Sequence, residues 1–246
     1  MALTAYLTAT RNLLQNPTAP TALYDDTTLT TNINTARNQI AGEGECIRFE
    51  PSLALVGGTQ VYSFSAVSIT AGQGIQSVLN VRTAWLISGS GRLWMQPQPF
   101  EWFSLYNLNT ATPSTGNPTQ WAQFGQGEHG TLYVDPTPTS VVTLKLDTVC
   151  VPIPLVDDTT VDAIPGLWTD CVPYFAAYLT LLSAQTSTRN AEAERMFKIY
   201  ETFMQRARNM ANPSVVRSQY PQSEQPTRIH QFGLAPSRPQ AAEQGA

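Results

Sequence analysis

The chain has 246 residues, 42% of them hydrophobic but only 13% charged, and a formal net charge of -4. That is enough apolar matter for a sizeable core, with about half the usual charged share of a soluble protein. The negative net charge, with lysine only at Lys145 and Lys198, argues against a dedicated grip on duplex phosphates through clustered basic side chains. Enclosing DNA without gripping it is not excluded.

Surface polarity must come from Thr, Gln, Asn and Ser. Such a surface suits packing against neighbours, with a neutral monomer as the other reading. Cys46, Cys150 and Cys171 are odd in number and form no CxxC pair, so they read as buried small apolar side chains. Residues Met1 to Ala5 have neither a basic n-region nor an apolar h-region. The most apolar run, Cys171 to Leu182, is too short to span a bilayer. A soluble protein made in a reducing cytoplasm is the expectation, with no membrane partner.

In chain order, Leu3, Tyr6, Leu7, Leu13 and Leu14 fall near one face of a helical period, closed by Asn16-Pro17. After a Pro-rich turn, Asp25 or Asp26 caps a second helix with Leu29, Ile33, Ala36 and Ile40 on one stripe. Gly42 and Gly44 are expected to stop it in the left-handed conformation.

From Cys46 the period changes. Val61 to Ile69, Val78 to Ile87, Arg92 to Met95 and Val141 to Val151 read as strands. Gly57-Gly58, Gly72-Gln73-Gly74 and Gly89-Ser90-Gly91 read as turns, and Asn109 to Pro118 as a polar loop. Residues 46–154 are predicted to form an antiparallel β domain, a sandwich or small barrel. Residues 155–164 follow as a linker.

Helices then return. Thr169 or Asp170 caps one holding Phe175, Tyr178, Leu179 and Leu182, with Pro173 tolerated in its first turn. A break at Thr186-Ser187-Thr188 precedes a helix with Ala193, Met196, Phe197, Tyr200, Phe203, Met204 and Ala207, ended by Asn212-Pro213. The fold class is thus α+β. An N-terminal helix pair and a C-terminal helical hairpin pack as a bundle (1–45 plus 165–211) around an inserted antiparallel β domain. Residues 212–246 form a Pro-rich extended tail that lacks the apolar content to order alone.

No catalytic site emerges. GxxxxGK[ST], HExxH and GxSxG are all absent. His129 and His230 are the only histidines and read as solvated side chains. No base, nucleophile and orienting acid converge. Asp25-Asp26 reads as a helix cap, and Asp157-Asp158 as part of a solvated linker. Trp85, Trp94, Phe100, Trp102, Phe103 and Tyr106 read as core packing rather than a stacking platform, because only Arg82 and Arg92 are nearby. No enzyme, cofactor or metal is expected.

Three stretches carry a resemblance. One is Ile33-Asn34-Thr35-Ala36-Arg37-Asn38-Gln39-Ile40 and the Gly-Glu-Gly-Glu-Cys after it. The second is Gln120-Trp121-Ala122-Gln123-Phe124 with Thr131-Leu132-Tyr133-Val134-Asp135-Pro136-Thr137-Pro138. The third is Ile164-Pro165-Gly166-Leu167-Trp168 with Pro173 to Tyr178 and Ala191 to Tyr200. In that order, over roughly residues 3–211, they resemble the head-to-tail adaptor (head-completion or neck) proteins of tailed bacteriophages, particularly short-tailed ones. The resemblance implies a virion protein assembled in the host cytoplasm. It implies a homo-oligomeric ring, typically twelvefold, that sits beneath the portal, continues the DNA channel and offers a platform to tail or nozzle proteins. The tail departs from the pattern. Its apolar anchors Tyr220, Ile229, Phe232 and Leu234, with Arg228, are candidate contacts to the portal or a neighbouring subunit, against a flexible tail as the other reading. A carbohydrate- or host-binding β module of a phage tail is the competing class.

Overall fold

The computed structural model describes residues 1–17, 22–69, 72–89, 91–107, 114–183 and 187–211. Its helices are α1 (Leu3–Leu14), α2 (Asp26–Gly44), α3 (Phe100–Trp102), α4 (Cys171–Leu182) and α5 (Ser187–Ala211). The strands are β1 (Arg48–Phe49), β2 (Ser52–Leu55), β3 (Val61–Ser63), β4 (Ile75–Ser88), β5 (Gly91–Trp94), β6 (Gln96–Pro97), β7 (Gln120–Phe124), β8 (Thr131–Asp135) and β9 (Val142–Pro152). The fold is mixed α+β, with five α-helices and two sheets among the described residues.

The N-terminal helices follow the apolar stripes closely. α1 buries Leu3 and Tyr6, and α2 buries Leu29, Ile33, Ala36 and Ile40. Asp25 is the cap of α2, accepting from the Thr28 amide at 2.7 Å, whereas Asp26 pairs with Arg11. Asn16 is buried and holds the turn between the helices, bonding Leu23 N–H and Tyr24 C=O.

α2 ends at Gly44, as expected, but neither glycine takes the left-handed conformation: Gly42 and Gly44 are helical, and Glu45 takes it at φ 46°. Gly44 is small for another reason. A Cβ there would lie 2.5 Å from the Trp168 ring, which packs against the bare helix backbone.

One sheet has the order β1-β9-β4-β5, with β2 also on β9. The other runs β3-β8-β7-β6, and its β6–β7 pairing is parallel, a departure from the all-antiparallel expectation. β4 spans 14 residues and carries register shifts at Ile75/Ser77, Val78/Asn80 and Val81/Thr83. Gln123 of β7 reaches across to this irregular stretch. Its Oε1 accepts from the Val81 amide at 2.9 Å, and its Nε2 donates to Asn80 and to Gly125 C=O. A side chain of one sheet thus satisfies a backbone donor that the bulged ladder of the other leaves over.

The expected strand from Val61 to Ile69 ends at Ser63. The Ser63 hydroxyl accepts from the Ser65 amide and starts a 3-10 turn, which turns Phe64 into the core beside Gly130. β1, β2, β6, β7 and β8, absent from the strands read in the sequence, are only two to five residues long.

Helices and sheets share one hydrophobic core, from Tyr6, Ile33 and Ile40 through Leu55, Leu86 and Leu144 to Phe175 and Tyr200. α4 is apolar nearly all round and buries Cys171, Val172, Phe175, Ala176, Ala177 and Leu181. Neither expected residue caps it. Asp170 already has helical dihedrals and makes no side-chain cap bond, and the Thr169 hydroxyl donates to Gly166 C=O instead. α5 packs on α4 through aromatic pairs: Tyr174–Phe203 at 5.2 Å between centroids, Phe175–Tyr200 at 4.8 Å and Tyr178–Phe197 at 5.0 Å.

Candidate assembly surfaces

A buried polar node fixes the frame on which the surfaces stand. Asp162 Oδ1 accepts from Arg37 Nη2 at 2.9 Å and Nε at 3.2 Å, and from the Ile164 amide. Its Oδ2 accepts from the Tyr6 hydroxyl at 2.7 Å and the Met1 ammonium at 3.0 Å. Arg37 also donates to Ile153 C=O and Asn34, which in turn bonds both backbone groups of Leu155. Burial alone would raise the Asp162 pKa. Hydrogen bonds from Tyr6, the ammonium and the Ile164 amide, with the charge of Arg37, outweigh it and hold the carboxyl below its ordinary value. Burial, then Asp162, pushes the Tyr6 phenol strongly upward.

The acidic pair read as solvated is exposed, and it is also bonded. Asp158 accepts from Thr4 N–H and hydroxyl at the start of α1, and Asp157 closes a turn on Thr159 and Thr160.

Burial pushes the Cys46 thiol up to about 12 and Cys171 to about 11, and raises Cys150, so none is a thiolate nucleophile at neutral pH. His129 lies in an open cleft of about 470 Å³ with Phe64, Val67, Gln76 and Glu128. Glu128 is bonded to Gln76 rather than to the imidazole. Among the described residues no three His, Cys, Asp or Glu side chains gather as a metal site.

The outer surfaces are more distinctive. Trp85 on β4 and Trp94 on β5 face each other across the ladder, their rings nearly parallel at 8° and 6.5 Å between centroids. The Arg92 guanidinium lies 5.2 Å from the Trp85 ring and pairs with Glu50 at 3.3 Å. All of β5 is exposed, Trp94 by 63% and Leu93 by 50%. Of the aromatic group read as core, Phe103 is fully buried, whereas Trp94 is a surface residue. Phe100 packs between Phe124 and Tyr133. On α5, Arg189 stacks on Tyr24 and Arg208 reaches Glu43. Arg195, Lys198 and Arg206 are exposed without an ion pair to any described residue.

The predicted partner contacts Tyr220, Arg228, Ile229, Phe232 and Leu234 lie outside the described residues. The sequence reading missed Asp162 and the free edge of β5. A signal for the former existed: Arg37 sits on the same stripe as Ile33, Ala36 and Ile40, where a charge needs a buried partner.

The stretches that carried the resemblance fall on these supports. They supply Arg37, the bridging Gln123, strand β8, and Trp168 against Gly44. A family model described as SU10 adaptor protein matches residues 1–228. The chain belongs to the SU10 adaptor family. This is a family of phage head-to-tail adaptors of the short-tailed type, so the protein is a phage structural adaptor of the virion. The match runs past the end of α5 and takes in the first half of the tail, which the resemblance alone had left out. No curated protein matches the chain.

Proposed function

We propose that this adaptor is a non-catalytic ring subunit, typically twelvefold, that docks beneath the portal, continues the DNA channel and presents a platform to tail or nozzle proteins. The observation that carries the reading is the family match over residues 1–228. It is supported by a weakly charged chain in which Arg11, Arg37, Arg48, Arg82 and Arg92 are all engaged by carboxylates of the same subunit. Those five arginines are then not free to drag on passing DNA, and the exposed Arg195, Lys198 and Arg206 all lie on α5.

In this reading α1 and α2 (within 1–45) and α4 and α5 (within 165–211) form one helical bundle that closes with a C-terminal hairpin. Residues 46–154 form the inserted β part, and 155–164 the connection. The tail is a strap, with Tyr220, Arg228, Ile229, Phe232 and Leu234 contacting the portal or a neighbouring subunit. Assembly takes place in the host cytoplasm. Mixing purified protein with the portal of the same phage and measuring mass by light scattering tests the reading. A monomer alone and a multi-copy complex with portal are expected. A stable small dimer that ignores the portal would refute it.

The exposed Trp94 favours one second reading, a sugar-stacking face on the β part. Glycan-array binding abolished by Trp94→Ala would select it. Absence of glycan binding leaves Trp94 to a protein contact.

A further inference from the structure

The larger sheet has two free edges, β5 on one side and β1 with β2 on the other, and β5 and β2 are each four residues long. Their unpaired backbone groups can be read from the register. Met95 N–H donates to Ala84 C=O, so in the alternating antiparallel ladder Arg92 and Trp94 turn their N–H and C=O away from β4. Leu146 N–H donates to Pro51 C=O, so Ser52 and Ala54 turn theirs away from β9. Each edge therefore offers two residues at the same spacing, unbonded by any described group. Native proteins rarely leave a flat edge bearing Leu and Trp uncovered.

The side-chain rows match as well. In register across the sheet run Leu53, Leu144, Leu86 and Leu93. The first three are buried, and Leu93 is left half exposed at the end of the row. On the other face the row is Ser52, Lys145, Trp85 and Trp94. Strand direction alternates along β2, β9, β4 and β5. A second copy related by a rotation axis running along the strands keeps its directions, so its β2 meets β5 antiparallel and the alternation continues unbroken.

We infer that the β5 edge pairs with the β2 edge of a second copy, Trp94 beside Ser52 and Arg92 beside Ala54 of the neighbour. This contact rests on the ring reading and supplies one of its subunit interfaces. It is heterologous, because the two surfaces differ, and so adds copies in one direction around an axis. Two short strands bury far less than the roughly 1,200–2,000 Å² of a stable interface. The contact therefore forms on a template and not in the free protein.

The test uses the full chain with the portal. Bonded antiparallel pairs have Cα atoms about 5.5 Å apart, within the roughly 4.4–6.8 Å that a disulfide spans. The double variant Arg92→Cys/Ala54→Cys, mixed with portal and oxidised with copper–phenanthroline, should give a ladder of linked subunits on non-reducing gels. Neither single variant should. Arg92→Pro removes the outward N–H together with the exposed Glu50 pair and the Trp85 stacking, surface contacts of small worth, and should lower monomer melting only slightly while cutting ring occupancy at least tenfold. Leu93→Pro breaks the pair with Leu86 and should lower the melting temperature. A full ring without linked subunits overturns the edge pairing but not the ring. A linked dimer from Arg92→Cys alone replaces it with β5 self-pairing. Absence of any multi-copy complex on the portal overturns both readings.

Discussion

Arg37 and Asp162, 125 residues apart in sequence, meet in the core with 2.9 Å between Nη2 and Oδ1 and with both side chains closed to solvent. The pair joins α2 to the segment after β9, and through Tyr6 to α1. Desolvating two charges offsets much of their attraction, so the pair adds less stability than its geometry suggests. Removing one partner is different, because it strands the other charge in the core.

Asp162→Ala should therefore cost about 3–5 kcal/mol of folding stability, read as a lower urea midpoint. Arg37→Ala should cost a similar amount. The double variant should cost clearly less than the sum of the two. Additive losses would mean that the two side chains act independently.

The same carboxylate sets the acid limb of stability. Its folded pKa lies below the ordinary value of 3.8, so its contribution is present above 3.8 and lost as the pH falls through the lower folded value. Asp25, Asp157 and Asp158 are lowered by their hydrogen bonds and act in the same direction. Tyr6 and Tyr200 are raised above 10.0 by burial, so stability should fall again as the pH climbs past 10.0. Unfolding free energy against pH should show both limbs, and Asp162→Asn should flatten the acid one. An unchanged acid limb in that variant would remove Asp162 from the explanation.

Gly42 and Gly44 lie two residues apart in α2 but should respond oppositely to alanine. At Gly42 a Cβ meets nothing nearer than 3.8 Å, so Gly42→Ala should stabilise the helix by about 0.5–1 kcal/mol. At Gly44 it would strike the Trp168 ring at 2.5 Å, and Gly44→Ala should destabilise by about 1–3 kcal/mol. Thermal melts of the two variants decide it. Equal shifts would show that the Trp168 contact is unimportant.

Much of the fold was legible because its signal is local. Leu29, Ile33, Ala36 and Ile40 mark α2, and Val78 to Ile87 marks most of β4. What escaped depends on distant partners. Gly44 looks like a helix stop until Trp168 lies against it, and Asp162 looks like a linker carboxylate until Arg37 arrives from 125 residues away. Trp94 was read as core because hydropathy does not distinguish the outer edge of a sheet from its middle. For the assembly surface the sequence spoke through composition and resemblance, whereas the free edges of β2 and β5 needed the register.

The tail proposal has a separate test. Trypsin should cut after Arg217 and Arg228 faster in the free protein than in the assembled particle, as mass spectrometry of the released peptides would report. Equal rates in both states, or normal assembly after truncation at Asn212, would make the strap dispensable.

The central claim, a ring of this chain between portal and tail, is tested most directly by cryo-electron microscopy of the neck of the intact particle. The result expected is a closed ring, typically twelvefold, directly under the portal, with residues 1–211 of each copy fitting its density and the channel passing through the middle. Density for this chain on the outer surface of the tail, in isolated copies and away from the portal, would contradict it.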